Sequence, residues 1–160
     1  MRAGTKKWDK AILAVLVGAG PLVLFIVAGL DFRRHGSRFG PAAIVAGLAV
    51  ALIGLAVTAM AMHANRFFST TVRIQTERGH AVVSSGPYAI VRHPGYVGMF
   101  LSYAAMPFAI GSAWALWPTM PLLVLLLVRT GLEDRTLRAE LPGYAEYAAR
   151  IRYRLLPGLW

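Results

Sequence analysis

The chain has 160 residues, no cysteine, 57% hydrophobic residues and a formal net charge of +10. The missing cysteines exclude a disulfide framework, a cysteine nucleophile and a thiolate metal site, and the four histidines (His35, His63, His80, His93) show no HxxH or HExxH spacing, so no metal site is expected. The apolar content exceeds the roughly 45–50% of soluble domains, and Lys and Arg fall in the gaps between apolar runs, a pattern of membrane topology rather than of nucleic-acid binding.

Residues 11–30 hold no charged side chain. At about 1.5 Å per helical residue, such a run matches a hydrocarbon core about 30 Å thick, with Pro21 placed to kink it. Lys6, Lys7 and Lys10 ahead of it also suit a signal peptide, but a signal core is shorter, about 7–15 residues, so a retained span is expected. Residues 31–40 read as a polar loop. Pro41 suits a helix start, and the uncharged residues 41–62 read as a second span, with Gly47 and Gly54 on one face to admit a close neighbour.

Residues 63–92 differ. They carry Arg66, Arg73, Glu77, Arg78 and Arg92 among β-type patches (TTVRI, AVV), and read as an ordered loop outside the hydrocarbon, with a short hairpin around Glu77, Arg78, Gly79 and His80. Connections this long in compact proteins are often functional. Residues 93–128 contain no Asp, Glu, Lys or Arg, too long for one span. The break is expected near Gly111 and Ser112, giving a helical hairpin with two rather short arms and interfacial tryptophans (Trp114, Trp117) at its tip. The second arm runs on through Arg129 and Glu133. In the tail, Tyr144, Tyr147 and Ile151 follow helical spacing with Arg150 and Arg154 on another face, which suits a helix lying on the membrane or a solvated basic tail.

The expected fold is an all-α integral membrane protein with about four transmembrane helices, a cytoplasmic cofactor-binding loop and a C-terminal helix. The basic residues of the N-terminus, middle loop and tail put these, and so both termini, in the cytoplasm.

Two places carry candidate chemistry. Gly86-Pro87 is a turn signal, and Pro94 biases His93 away from helix, so Arg92 and His93 stand at the mouth of the hairpin with Tyr96 just inside. This is equally a basic anchor with a helix-starting proline. Arg129 and Glu133 lie four apart, on one helical face, with Asp134 adjoining. An acid and a base near the membrane level are functional candidates, although topological or snorkelling charge gives the same pattern.

The ordered set GPYAIVRHPGY, a hairpin, RTGLED and GYAEYAARIRYRLLP resembles the carboxyl-terminal signature of the isoprenylcysteine carboxyl methyltransferase family, whose wider group includes phospholipid N-methyltransferases. The resemblance covers residues 65–160. It implies two N-terminal transmembrane helices (1–62) ahead of a methyltransferase-like catalytic region (63–160), and S-adenosylmethionine as cofactor. The implied cofactor contacts are His93, Pro94, Tyr96, Glu133 and Tyr144, with Arg129 orienting the acceptor; by their chemistry, His93 or Arg92 suits the cofactor's carboxylate, and Glu133 or His93 suits a catalytic base where the acceptor needs one. Glu133-Asp134 stands where many relatives have Glu-Glu, which places Asp134 in more doubt. The implied acceptor is a lipid or lipidated molecule, most readily a carboxylate such as a prenylcysteine. Alternatives are a phospholipid amine methyltransferase, an NADPH-dependent enzyme like the sterol reductases (which carry RHxNY rather than RHPGY) and a non-catalytic membrane protein. The bilayer is the one partner expected, nucleic acid is not, and the sequence leaves the oligomeric state open.

Overall fold

The computed structural model describes residues 6–160. Five helices, and no strand among the described residues, make up the chain: α1 (Lys7–His35), α2 (Pro41–Ala64), α3 (Pro94–Ile110), α4 (Leu116–Glu140) and α5 (Tyr144–Arg150). α1, α2 and α4 are each long and apolar enough to cross a membrane. α3, with 17 residues, extends about 25 Å at about 1.5 Å per residue. Large apolar side chains such as Val17, Phe25, Leu52, Leu55 and Val124 point outward and are exposed. That is the surface of a protein whose solvent is lipid, and the chain is an all-α membrane protein.

The helices pack in the order α2, α3, α4, α1, while α1 and α2 scarcely touch. The α2–α3 contact is the most extensive, and the small residues explain it. A Cβ on Gly54 would lie 2.5 Å from the Gly98 carbonyl oxygen and from Ser102 Oγ, and one on Gly47 would meet the Phe108–Ala109 backbone. The shared face of Gly47 and Gly54 is therefore where α3 lies.

α1 is longer than the expected span at both ends. Residues 31–35 continue the helix instead of forming loop, because Asp31 has a place to go. Its buried carboxylate accepts hydrogen bonds from Ser112 Oγ (2.7 Å) and the Trp114 N–H (3.1 Å) and pairs with His35 Nδ1 (3.0 Å). This holds the hairpin tip, which breaks at Gly111 (φ 79°) as expected, against the end of α1. Pro21 does not break α1 either. The turn before it, Ala14–Ala19, is π-helical, with the Gly20 N–H bonded to the Val15 carbonyl. Pro21 has no N–H to continue that ladder, and the freed Leu16 carbonyl accepts the Tyr103 hydroxyl at 2.5 Å.

Between α2 and α3 the chain is irregular apart from two 3₁₀ turns, Thr76–Arg78 and Gly86–Ala89. The expected β-type hairpin is absent: Gly79 in the left-handed region (φ 62°) ends the first turn, and the apolar residues of the patches pack inward singly. Val72 is buried, and Ile74 and Val82 lie against Leu141, Tyr144 and Tyr147. The hairpin's second arm is longer than expected, at 25 residues, and runs on through Arg129, Glu133 and Asp134 as expected, on one unbroken helix. The tail helix buries Tyr144, Tyr147 and Ala148 but stops at Arg150, so Arg154 does not share a helix face with Arg150.

Candidate active site

The loop, the start of α3, the end of α4 and α5 meet around a cavity of about 350 Å³, within the ~300–1,000 Å³ range typical of small-molecule sites. Arg92, His93, Tyr96, Arg129, Glu133 and Tyr144 line it, so the structure brings six of the seven sequence-predicted residues together. Pro94 lies behind the wall, fully buried at the first turn of α3, with Gly95 taking its place on the wall. The lining also has an apolar part: Leu13 and Val17 of α1, Met62 of α2 and Met99 of α3.

Asp134 organises the polar end. It has no exposed surface. Arg92 grips it with two parallel bonds, Nε to Oδ1 (2.8 Å) and Nη2 to Oδ2 (3.2 Å). Arg154 Nε (3.0 Å) and Arg138 Nε (3.2 Å) donate to Oδ2, and the Tyr144 hydroxyl donates to Oδ1 at 3.0 Å. His93 Nε2 lies 3.4 Å from both Asp134 Oδ1 and the Tyr144 hydroxyl. Burial, and then the Asp134 charge, push the Tyr144 phenol far above its ordinary value, so it remains a donor at any physiological pH. Arg92 Nη1 spans the Ile151 and Arg152 carbonyls (2.7 Å each), and the backbone N–H groups of Arg92 and His93 donate to the Tyr153 and Arg154 carbonyls. Four of the five donors of Arg92 are thus bound within the protein, which makes it a support for the site rather than a free arm.

A second buried pair closes the other side. Arg129 Nε donates to Asp9 Oδ1 (2.8 Å) and Nη2 to the Thr70 carbonyl (2.6 Å). Asp9 Oδ2 accepts the Val72 N–H at 2.7 Å. One ion pair thereby joins α1, the loop and α4. The Arg129 guanidinium lies 5.3 Å from the Tyr96 ring centre, the Tyr96 hydroxyl donates to Glu133 Oε2, and the Tyr96 ring stacks on His93 at 5.7 Å.

Sequence reasoning missed Asp9, Arg154 and the central place of Asp134. Asp9 gave a signal: it is the one acid within a basic segment, at the edge of an apolar run. Arg154 gave none, since its partner lies 20 residues away across a chain reversal.

The architecture is that of an all-α membrane protein whose cavity is lined by polar and aromatic residues together with apolar side chains of α1, α2 and α3. Residues 45–139 match the model of the isoprenylcysteine carboxyl methyltransferase family. That is more than half of the chain, and the protein belongs to this family, which makes it a membrane methyltransferase by descent. No curated protein matches the chain.

The Asp9–Arg129 pair yields a stability prediction. Removing one partner of a buried ion pair leaves an uncompensated charge, at a cost of about 3–5 kcal/mol. Asp9→Ala is expected to lower unfolding stability in detergent by that order, and Asp9→Glu by much less. An Asp9→Ala melting curve that overlays the wild type contradicts the pairing.

Proposed function

We propose that the chain transfers a methyl group from S-adenosylmethionine to a lipid or lipidated acceptor, most readily a carboxylate such as a prenylcysteine. The observation that carries this reading is one cavity on whose wall Tyr96, Glu133, His93 and Tyr144 stand together with the apolar side chains of Leu13, Val17 and Met62 from α1 and α2, in a member of this family. The cavity has room for a ligand of nucleoside size, and its wall supplies aromatic faces, a carboxylate and arginines, the groups a zwitterionic sulfonium ligand calls for. Glu133 would take the ligand's amino or ribose donors, and the Tyr96 and Tyr144 rings its adenine or sulfonium. When bound, the cofactor supplies a methyl group for in-line displacement by the acceptor.

The protein's contribution is then positioning and exclusion of water. A carboxylate acceptor needs no base. An ammonium acceptor must first lose a proton, for which Glu133 and His93 are the candidates. The acceptor's apolar tail enters from lipid between α1 and α2, past Val17 and Met62. Arg129 is offered by sequence as a fork for the acceptor, but in the fold Asp9 and the Thr70 carbonyl hold its Nε and Nη2. We therefore assign it as a positioning residue that fixes Tyr96 and the loop. The catalytic region is residues 63–160, with α1 completing the wall.

Titration of the purified protein with S-adenosylhomocysteine, without metal, tests this. Binding is expected, and Glu133→Gln is expected to weaken it by about 1–3 kcal/mol, the scale of a lost buried or charge-assisted hydrogen bond. Binding of NADPH with none of S-adenosylhomocysteine overturns the reading.

We propose further that α1 to α4 are four spans, with both termini and the site at the cytoplasmic face, as the basic loop and tail favour. A reporter fused at the hairpin tip near Ser112 should read extracytoplasmic, and a cytoplasmic signal there contradicts the orientation.

A further inference from the structure

Arg73 was given no role by its sequence context. It stands in the α2–α3 loop next to Val72, whose N–H is fixed by Asp9. It lines the cavity, and its side chain is 8% exposed. Nη1 donates to Glu77 Oε1 at 2.6 Å. Its Nε is buried and has no hydrogen-bond partner among the described residues.

Native proteins rarely leave a buried donor unpaired, and a guanidinium donor is among the costliest to strand. The orphan Nε belongs to the Nε–Nη2 edge, which presents two parallel N–H bonds and matches the two oxygens of a carboxylate. Arg92 uses that same edge on Asp134. The remaining cavity arginines each hold a buried carboxylate through Nε: Arg92 that of Asp134, and Arg129 that of Asp9, with its Nη2 on the Thr70 carbonyl. Nearby, Arg78 is bound to Gln75 Oε1 and the Arg66 carbonyl. Burial and the charges of Arg73 and Arg78 hold the His80 imidazole below its ordinary value. Glu77 meets Arg73 only through Nη1, and its own side chain is 55% exposed. Arg73 is therefore the cavity-wall arginine with a buried unmet donor and only a solvated counter-charge.

We propose that Arg73 is an anion-binding residue of the cavity, whose Nε edge receives a carboxylate of a bound ligand, either the amino-acid carboxylate of the cofactor or the carboxylate of the acceptor. The assignment rests on the methyltransferase reading above and identifies the residue that reads the ligand's negative group.

Calorimetry on Arg73→Gln and Arg73→Lys, each matched to the wild type in ligand-free melting, tests it with two pairs of probes. One pair is S-adenosylhomocysteine and its decarboxylated analogue. The other is an S-farnesylated N-acetylcysteine and its amide. If the cofactor is the source, Arg73→Gln weakens S-adenosylhomocysteine by about 10- to 100-fold and leaves the decarboxylated analogue unchanged. If the acceptor is the source, the same selective loss falls on the farnesylated acid and spares its amide. Arg73→Lys keeps the charge without the paired donors and falls between; it carries the test alone if Arg73→Gln does not fold. Equal weakening within each pair marks a structural role and overturns the proposal, as does unchanged binding of all four probes. A wild type that binds neither S-adenosylhomocysteine nor the farnesylated acid overturns the underlying reading instead.

Discussion

A carboxylate with no exposed surface at the end of a membrane helix has to be met by donors, and Asp134 is met by Arg92, Arg154, Arg138 and Tyr144. These donors come from four places: the segment before α3, the tail after α5, α4 itself and the start of α5. The segment before α3 and the tail after α5 are irregular chain, and the buried charge ties both to α4. Replacing such a network by apolar groups is often neutral for stability, so its consequence here is geometric: it fixes His93 beside Tyr144 and keeps the tail folded over the site.

The same logic recurs at the second buried acid. Asp9 binds Arg129 and the Val72 N–H, and so draws the first turn of α1 under the loop. α1 and α2 hardly touch, and both contribute apolar side chains to the cavity wall. The π-helical turn at Ala14–Ala19 lies on this stretch of α1, and the hydroxyl of Tyr103 caps the carbonyl that Pro21 cannot serve. Asp31, at the far end, fastens the hairpin tip in the same way. Two buried carboxylates, Asp9 and Asp31, thus take part in all the long-range polar ties of α1 described above except the Tyr103 bond.

Much of this was legible in the sequence, because lipid leaves few options. Charge-free runs gave α2 and the hairpin break at Gly111, and small residues gave the packing face of α2. The ordered motifs around Arg92, His93 and Tyr96, Glu133, and Tyr144 gave residues that prove to share one cavity wall. What failed had one cause. A charged residue next to an apolar run was read as the boundary of a span, whereas Asp9 and Asp31 are inside helix α1 and satisfied by partners 63 to 120 positions away. The loop was misread for a related reason: β-propensity reports residues that suit a half-buried surface, and Val72 and Ile74 bury themselves against helices without a strand partner. Arg92 illustrates the limit for the site itself. Its motif position was readable, but the bonds that consume its donors, and so leave Arg73 as the unsatisfied arginine, depend on the path of the tail.

The Asp134–Arg92 pair organises the site, and a double-mutant cycle measures their coupling directly. Asp134→Asn and Arg92→Met each strand a buried polar group, whereas the double variant strands less than their sum, so the two losses in unfolding stability should be non-additive by about 0.5–3 kcal/mol, the range for residues in one network. Strictly additive losses would contradict the account, because they would mean that the two side chains stabilise the fold independently.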